Sequence, residues 1–419
     1  MDASDHTPPP PLPQDALPTL ACGRGFALLA GVRVLDLTTS IAGPYGAMML
    51  ADMGADVVKV ERPGAGDDAR AWGPPFLNGQ SLWFLSVNRN KRMLALDYGQ
   101  PAGRAVLDEM IAAADVLLVN LPARTLAKLG LAPAEVRARH PRLVFVSITG
   151  FGLAGPRADW TCYDLIAEGY SGVMDLTGEI DTDPQKVGAP AADMLAGMDA
   201  AFAAVAALHD RARTGQGHLV DIALVDSMTR FLTCRIVPYL GSGELPRRSG
   251  GKDSVIAIYQ SFETADAPMT LGLGNDNLWR RFWAAVGRPE RAEVAADGSN
   301  TARRARRAEI VAEIQDILRT RPRAHWLSVL AEARVPAGPI NRIDEATRDS
   351  ELLDRGLFYR LDSDDGPVPQ VGTGIQVDGR ANVPQRPPGR IGADTRDVLR
   401  SWLGYDDGRL EGLARDTTI

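Results

Sequence analysis

The chain has 419 residues, too many for one small module and enough for two or three domains with substantial cores. Apolar residues make up 45% and charged residues 24%, a soluble globular balance that excludes a disordered or coiled-coil chain. Acids outnumber bases, 53 to 46, for a net charge of −7, so a general nucleic-acid footprint is excluded and an anionic ligand needs a local basic patch.

In chain order, residues 1–25 read as a disordered proline-rich tail, because Pro8 to Pro11 and Pro13 favour extended polyproline backbone. Residues 32–37 (VRVLDL) form the first expected strand. Gly43-Pro44 opens a helix that Gly54 closes, and residues 56–60 (DVVKV) form the next strand, so 32–60 is one β-α-β unit. Further strands are expected at 93–96, 116–119 and 143–148, separated by helices at 101–114 and 133–140. Such alternation with continuous Val/Ile/Leu runs predicts an α/β fold with a doubly wound, largely parallel sheet.

After Gly150 the chain turns glycine-rich, then forms an alanine-rich helix over about 191–213, a turn at 213–217 and a strand at 218–224. The longest apolar region, 191–208, is interrupted by Asp193 and Asp199, so it reads as a helix packed inside the protein and no membrane partner is expected. Residues 241–251 have linker composition. Strands near 255–262 and 269–273 and helices near 275–286, 303–319 and 323–332 make 240–335 a second, smaller α+β domain. Residues 26–226 are then the first part of a large domain, and 345–419, with a closing helix at 395–403, its completion. Cys22, Cys162 and Cys234 are widely spaced and odd in number, forming neither a disulfide framework nor a zinc pattern. With no export signal at the start, the expectation is a reducing, cytoplasmic setting without a bound metal.

Three basic clusters follow expected strand ends, where open α/β sheets place their ligand crevices. They are Arg62 in Glu61-Arg62-Pro63-Gly64, the run Asn88-Arg89-Asn90-Lys91-Arg92, and Asn120 with Arg124 and Lys128. Each alone reads as a solvated loop. Together on one sheet edge they suit a polyphosphate, since Arg supplies a planar fork and Lys a point charge. The first strand leads into Thr38-Thr39-Ser40-Ile41-Ala42-Gly43-Pro44 without a G-x-G-x-x-G fingerprint, and no G-x-x-x-x-G-K-[ST] loop occurs, which excludes a nicotinamide dehydrogenase or a P-loop NTPase. Asp193, among small residues at a helix start, has two readings: a helix cap, or a carboxylate nucleophile in a tight, partly apolar pocket. Composition leaves both open. None of the five histidines accompanies a G-x-S-x-G elbow.

Taken together, these motifs resemble family III CoA-transferases, the CaiB/BaiF family. The resemblance lies in GVRVLDLTTSIAGPYGAMMLADMGADVVKVERPGAGDDAR, FLSVNRNKRMLALD, LVFVSITGFG, YDLIAEGYSGVM, VGAPAADMLAGM, RTGQGHLVDIALVDS, VPAGPINRIDEA and RPPGRIGADTRDVLRSWLGY, in order over about 31–412. It implies an interlocked homodimer, each chain with a Rossmann-like large domain and an inserted small one. It also implies transfer of CoA from an acyl-CoA to a carboxylic acid through an aspartyl-CoA thioester on Asp193, the CoA thioester being a substrate and no cofactor being permanently bound. Ile41, Ala42, Arg62, Asn88, Arg89, Asn90, Lys91, Asn120 and Lys128 would then line the CoA groove.

The chain departs from the family pattern in three places. The stretch often read N-F-R-P-G is Asn120-Leu121-Pro122-Ala123-Arg124 here, with its arginine displaced and Lys128 nearby as a substitute. Ile41 stands where formyl-CoA transferases have glutamine, and their glycine run is reduced to Gly250-Gly251 and Gly272 to Gly274. Both changes argue against oxalate as acceptor and for a larger or more apolar acid. Two alternatives accompany the transferase reading. One is an α-methylacyl-CoA racemase, whose G-H-D triplet appears as Cys162-Tyr163-Asp164, with a phenol of pKa ~10 in place of the base. The other is a non-catalytic CoA-binding paralogue.

Overall fold

A computed structural model describes residues 12–419. The chain divides into two compact units: a larger one that takes in the chain up to Ser171, Val187–Leu232 and Thr347–Ile419, and a smaller one from Gly172–Lys186 and Thr233–Ala346. The smaller unit is wider than the expected 240–335. Its extra segment is tied in by non-local contacts: the Gly250 N–H donates to the Gly178 carbonyl (3.0 Å), and Arg248 pairs with Asp175 (3.2 Å).

In the large unit, β1 (Arg33–Asp36), β2 (Asp56–Glu61), β3 (Lys91–Ala95), β4 (Val116–Val119), β5 (Val144–Thr149) and β6 (Leu219–Ala223) form one sheet. Its order is β3-β2-β1-β4-β5-β6, with every neighbouring pair parallel. The chain therefore winds outward from β1 in one direction and then, through β4, in the other. That reversal places a crevice at the carboxyl ends of β1 and β4. Every residue of β4 and β5 is buried, which is why β4 reads as an unbroken apolar run and β5 as a largely apolar one, interrupted by Ser147.

Helix α1 (Ala42–Asp52) follows β1, and α2 (Pro101–Ala113) follows β3. Val106, Leu107, Met110 and Ile111 of α2 pack with Leu35, Val58, Leu94, Leu117 and Phe145 on one face of the sheet. Val398, Leu399 and Trp402 of the helix Thr395–Leu403 join the same core, so the carboxyl-terminal segment completes it. Two short helices follow strand ends: α3 (Ala123–Lys128) after β4 and α4 (Asp164–Ser171) after β5.

Helix α5 (Ala191–Thr214) is 24 residues long and ends where Gly215 adopts a left-handed φ of 75°. It is long and apolar enough to cross a membrane by length and composition alone. Its small residues have another use, because Ala192, Ala196, Ala200, Ala204 and Ala207 recur at near-helical spacing and are all buried. Gly197 lets α1 approach at backbone distance: a Cβ there would sit 2.5 Å from the Ala42 carbonyl.

Part of the expected tail is ordered. Thr19–Leu20 pairs in parallel with Phe358–Leu361, and the Gly23 N–H donates to the Pro384 carbonyl (2.9 Å). Proline composition disfavours a helix but leaves an edge strand open wherever a distant partner supplies the ladder. Pro8 to Pro11 lie outside the described residues.

The smaller unit holds an antiparallel sheet of β7 (Tyr259–Phe262), β8 (Met269–Gly272) and β9 (Ala337–Pro339). Trp279, Phe282, Trp283, Ile310, Ile314, Trp326 and Leu330 cover one face, meeting Phe262, Met269 and Leu271. The helix expected at 303–319 is two, Asn300–Ala305 and Arg307–Leu318, and residues 255–258 form bends before β7.

Candidate active site

The loop after β1 is held from beneath by buried charges. Lys59 is inaccessible, donates to the Thr38 carbonyl (2.7 Å) and pairs with Asp67 (2.8 Å). Asp67 in turn accepts from the backbone N–H of Ser40 (2.9 Å), a non-glycine residue in left-handed backbone (φ 71°). That conformation costs about 1–2 kcal/mol, so it needs such an anchor. Asp36 accepts from the Thr38 N–H (2.9 Å) and pairs with Lys91 (3.0 Å). Burial alone would raise the Asp36 carboxyl, but the adjacent Lys91 and Lys59 charges outweigh it and hold the pKa low. From the next strand end, Asn120 closes the loop, accepting from the Thr39 N–H (3.1 Å) and donating to the Thr39 carbonyl (2.8 Å). Ile41 and Ala42 thereby take fixed, buried positions at the start of α1.

Asp193 is the third residue of α5 and partly buried. It is not the cap. The Asp164 carboxylate accepts from the N–H groups of Ala192 (2.8 Å) and Asp193 (3.3 Å), capping α5 from the start of α4. This removes the helix-cap reading: a partner twenty-nine residues away already satisfies the donors. The Asp193 side chain has no hydrogen-bond partner among the described residues. Burial, reinforced by the Asp164 charge, pushes its pKa up to about 7. Cys162, packed on Gly150 at the end of β5, lies close enough to be affected. Burial and then the Asp193 charge push its thiol up to about 11.

A cavity of about 310 Å³ in the large unit opens beside this helix start. Its walls include Ile41, Tyr45, Met48, Trp83, Pro190 and Met194, so residues on either side of Asp193 and the end of the β1 loop share one space. Four methionines (Met48, Met49, Met53 and Met194) give it an adaptable apolar lining.

The expected cations separate into two kinds. Arg62, Arg124 and Lys128 are exposed beyond the ends of β2 and β4, the strands flanking β1, and form none of the ion pairs seen among the described residues. Asn88, Arg89, Asn90 and Lys91 are instead inside the protein, 7% exposed or less. Arg89 pairs with buried Asp52 (2.6 Å), and Asn90 donates to Asp52 (2.7 Å) and accepts from Gln385 N–H (2.7 Å). Lys91 donates to the Pro44 carbonyl (2.8 Å) and Asn88 (2.8 Å) as well as Asp36, and burial lowers its pKa to about 8. Asn88, Asn90 and Lys91 are therefore scaffold groups, whereas Arg89, paired with Asp52, also lines the cavity of about 310 Å³. A buried cation must be paired, and these are paired with carboxylates from α1 and β1 that no local pattern marks.

Sequence reading missed Asp164 as the cap, and the Asp36, Lys59 and Asp67 network. Asp164 had a signal, since it closes the triplet compared with G-H-D. Tyr163 in that triplet is 61% exposed. Among the described residues no group of three His, Cys, Asp or Glu gathers to hold a metal.

Together the features define a doubly wound α/β protein with a partly desolvated carboxyl at the start of α5, a largely apolar cavity along α1, and exposed cations beyond β2 and β4. The model of CoA-transferase family III matches residues 29–395. The chain belongs to this family, also known as CaiB/BaiF. It is 35% identical over 92% of its length to the succinyl-CoA:glutarate CoA-transferase of Mus musculus, covering 88% of that protein. It is 38% identical over 88% of its length to the succinate–glutarate CoA-transferase of Agrobacterium fabrum, covering 94% of that protein. A crystal structure of a CaiB/BaiF family protein from Brucella suis superimposes with a TM-score of 0.78 at 35% identity, over 89% of this chain and 99% of that one.

Proposed function

We propose that this CoA-transferase moves CoA from an acyl-CoA to a short dicarboxylic acid through covalent chemistry on Asp193. The observation that carries the reading is the state of that carboxyl: desolvated, without a hydrogen-bond partner, and held at the start of α5 by a cap it does not itself supply. A partly desolvated carboxylate without hydrogen-bond donors keeps its lone pairs available for attack.

The ionised Asp193 adds to the thioester carbonyl of the donor and expels CoA thiolate, leaving a mixed anhydride. The thiolate attacks the aspartyl carbonyl of that anhydride, releasing the donor as its free carboxylate and forming an aspartyl-CoA thioester. The acceptor carboxylate then opens the thioester to a second anhydride, and CoA thiolate attacks the acceptor carbonyl, restoring Asp193. Each step conserves the activated acyl bond, so the site must keep water away, and the burial of the Asp193 carboxyl favours that. Exposed Arg62, Arg124 and Lys128 serve the CoA phosphates. The glutarate specificity in the names of two relatives supports a dicarboxylate acceptor. Ile41, in place of a polar side chain, supports one longer than oxalate.

The reading includes a homodimer. On α5, Met198, Phe202 and Val205 form an exposed apolar stripe, with Phe202 77% exposed, which supports cover by a second copy of the chain.

Incubation with succinyl-CoA followed by hydroxylamine or borohydride and peptide mass spectrometry tests the mechanism. The expected result is a label on Asp193, with activity abolished in Asp193→Ala. An unlabelled peptide together with unimpaired Asp193→Ala would refute it.

A further inference from the structure

The start of α5 cannot cap itself. Pro190, Ala191 and Ala192 carry no acceptor side chain, so the first N–H groups of the helix need partners from elsewhere. Helix α4 supplies them. One oxygen of Asp164, Oδ1, accepts from both the Ala192 N–H (2.8 Å) and the Asp193 N–H (3.3 Å). One turn further along α4, inaccessible Glu168 accepts from the Val187 N–H (2.8 Å). Positions 164 and 168 share a face of α4, so one helix face grips the 187–193 segment at both ends.

The cap needs an oxygen but not a charge, since Asn and Ser cap helices about as well as Asp. A charge is there nonetheless, beside the one carboxyl of the site that has no hydrogen-bond partner among the described residues. Burial and the Asp164 charge are what act on Asp193, and no cation among the described residues offsets them. Like charges at close range destabilise the ionised form.

The transfer chemistry relieves this repulsion. When an Asp193 carboxylate oxygen bonds to the thioester carbonyl carbon and the C–S bond breaks, the electron pair leaves with the CoA sulfur, and Asp193 becomes an uncharged anhydride. When the thiolate then attacks the aspartyl carbonyl, the negative charge departs on the donor carboxylate, and Asp193 is an uncharged thioester. Every acylated form escapes the repulsion, and each return to free Asp193 restores it. We propose that Asp164 is a positioning residue whose fixed carboxylate orients Asp193 through the α5 backbone and shifts it toward its acylated, uncharged forms. This role rests on the covalent chemistry proposed for Asp193 and gives the neighbouring charge its purpose.

The full-length protein is mixed with fixed succinyl-CoA and succinate at pH 8.5, where Asp193 is ionised. Intact-protein mass spectrometry after an acid quench then reads the ratio of CoA-bearing to free protein. Asp164→Asn keeps an oxygen for the two N–H groups and removes the charge. It is expected to lower the ratio on the order of tenfold, the effect of one nearby unit charge on a carboxyl. Asp164→Ser, a neutral cap of shorter reach, is expected to lower it too, so a folding failure in either variant leaves the other to decide. A loss of helix capping alone would not move this ratio in variants that keep a capping oxygen. A ratio equal to or above that of wild type in the neutral variants would overturn the role and leave Asp164 as a cap only. A wild type that bears no CoA, with Asp193→Ala still active, would instead defeat the function proposed above and this role with it.

Discussion

Replacing Asp193 by Asn should stabilise the protein, and by an amount that grows with pH. In the folded protein the Asp193 carboxyl titrates at about 7 against an ordinary 3.8, chiefly because it is buried and secondarily because Asp164 lies nearby. At about 1.4 kcal/mol per pH unit, the fully ionised site costs on the order of 4 kcal/mol relative to a free aspartate. The sign follows from proton counting. Between about pH 4 and pH 7 the folded state holds a proton that the unfolded chain has released, so wild-type stability declines across that window and levels off above it. Asn carries no such proton. Relative to wild type, Asp193→Asn should therefore gain about 2–3 kcal/mol on going from pH 5 to pH 8.5. Urea unfolding of both proteins at the two pH values, followed by circular dichroism, measures this. A difference independent of pH, or one that favours wild type at pH 8.5, would refute the desolvated-carboxyl account. Asp164→Asn supplies a second arm. It keeps an oxygen to cap α5 while removing the charge, so the pH dependence should shrink without vanishing, because burial is the larger cause.

The buried and exposed cations should respond differently to truncation. Arg89→Ala leaves Asp52 buried and unpaired, and a loss of about 3–5 kcal/mol in chemical denaturation is expected. Arg62→Ala and Lys128→Ala should change stability by less than about 0.5 kcal/mol, yet weaken CoA binding in a manner that fades at high salt, read by calorimetry at two ionic strengths. Phe202→Asp places a charge in the exposed α5 stripe; under the homodimer proposed above, light scattering is expected to find dimers for the wild type and monomers for the variant.

Much of the fold is legible in the sequence for a local reason. Strands buried on both faces are largely apolar, so the run at 116–119 and, apart from Ser147, that at 143–148 announce themselves without reference to their neighbours. The helix starts at Pro101 and Pro133 are marked as directly. What local pattern misses is who meets whom. The order of strands in the sheet, the edge strand Thr19–Leu20 and the capture of Gly172–Lys186 by the smaller unit all depend on partners far along the chain.

The candidate site divides along the same line. Asp193 stands out in the sequence as a carboxylate among small residues, and the resemblance of its surroundings to a family motif points to it directly. Its chemical state is a tertiary matter, because desolvation and the Asp164 charge come from α4 and the packing around α5. The run Asn88-Arg89-Asn90-Lys91 shows the difference most plainly. As a string it reads the same whether its charges face water, a phosphate or a carboxylate. The sequence determined that the protein has these cations near strand ends, and that an α/β sheet would carry them. Only the tertiary structure decided that Asp52 and Asp36 would lie within ion-pair distance and take four of these residues into the scaffold, leaving Arg62, Arg124 and Lys128 outside. The reason is physical: an unpaired charge stays in water, and whether a partner waits inside is set by packing across the whole sheet.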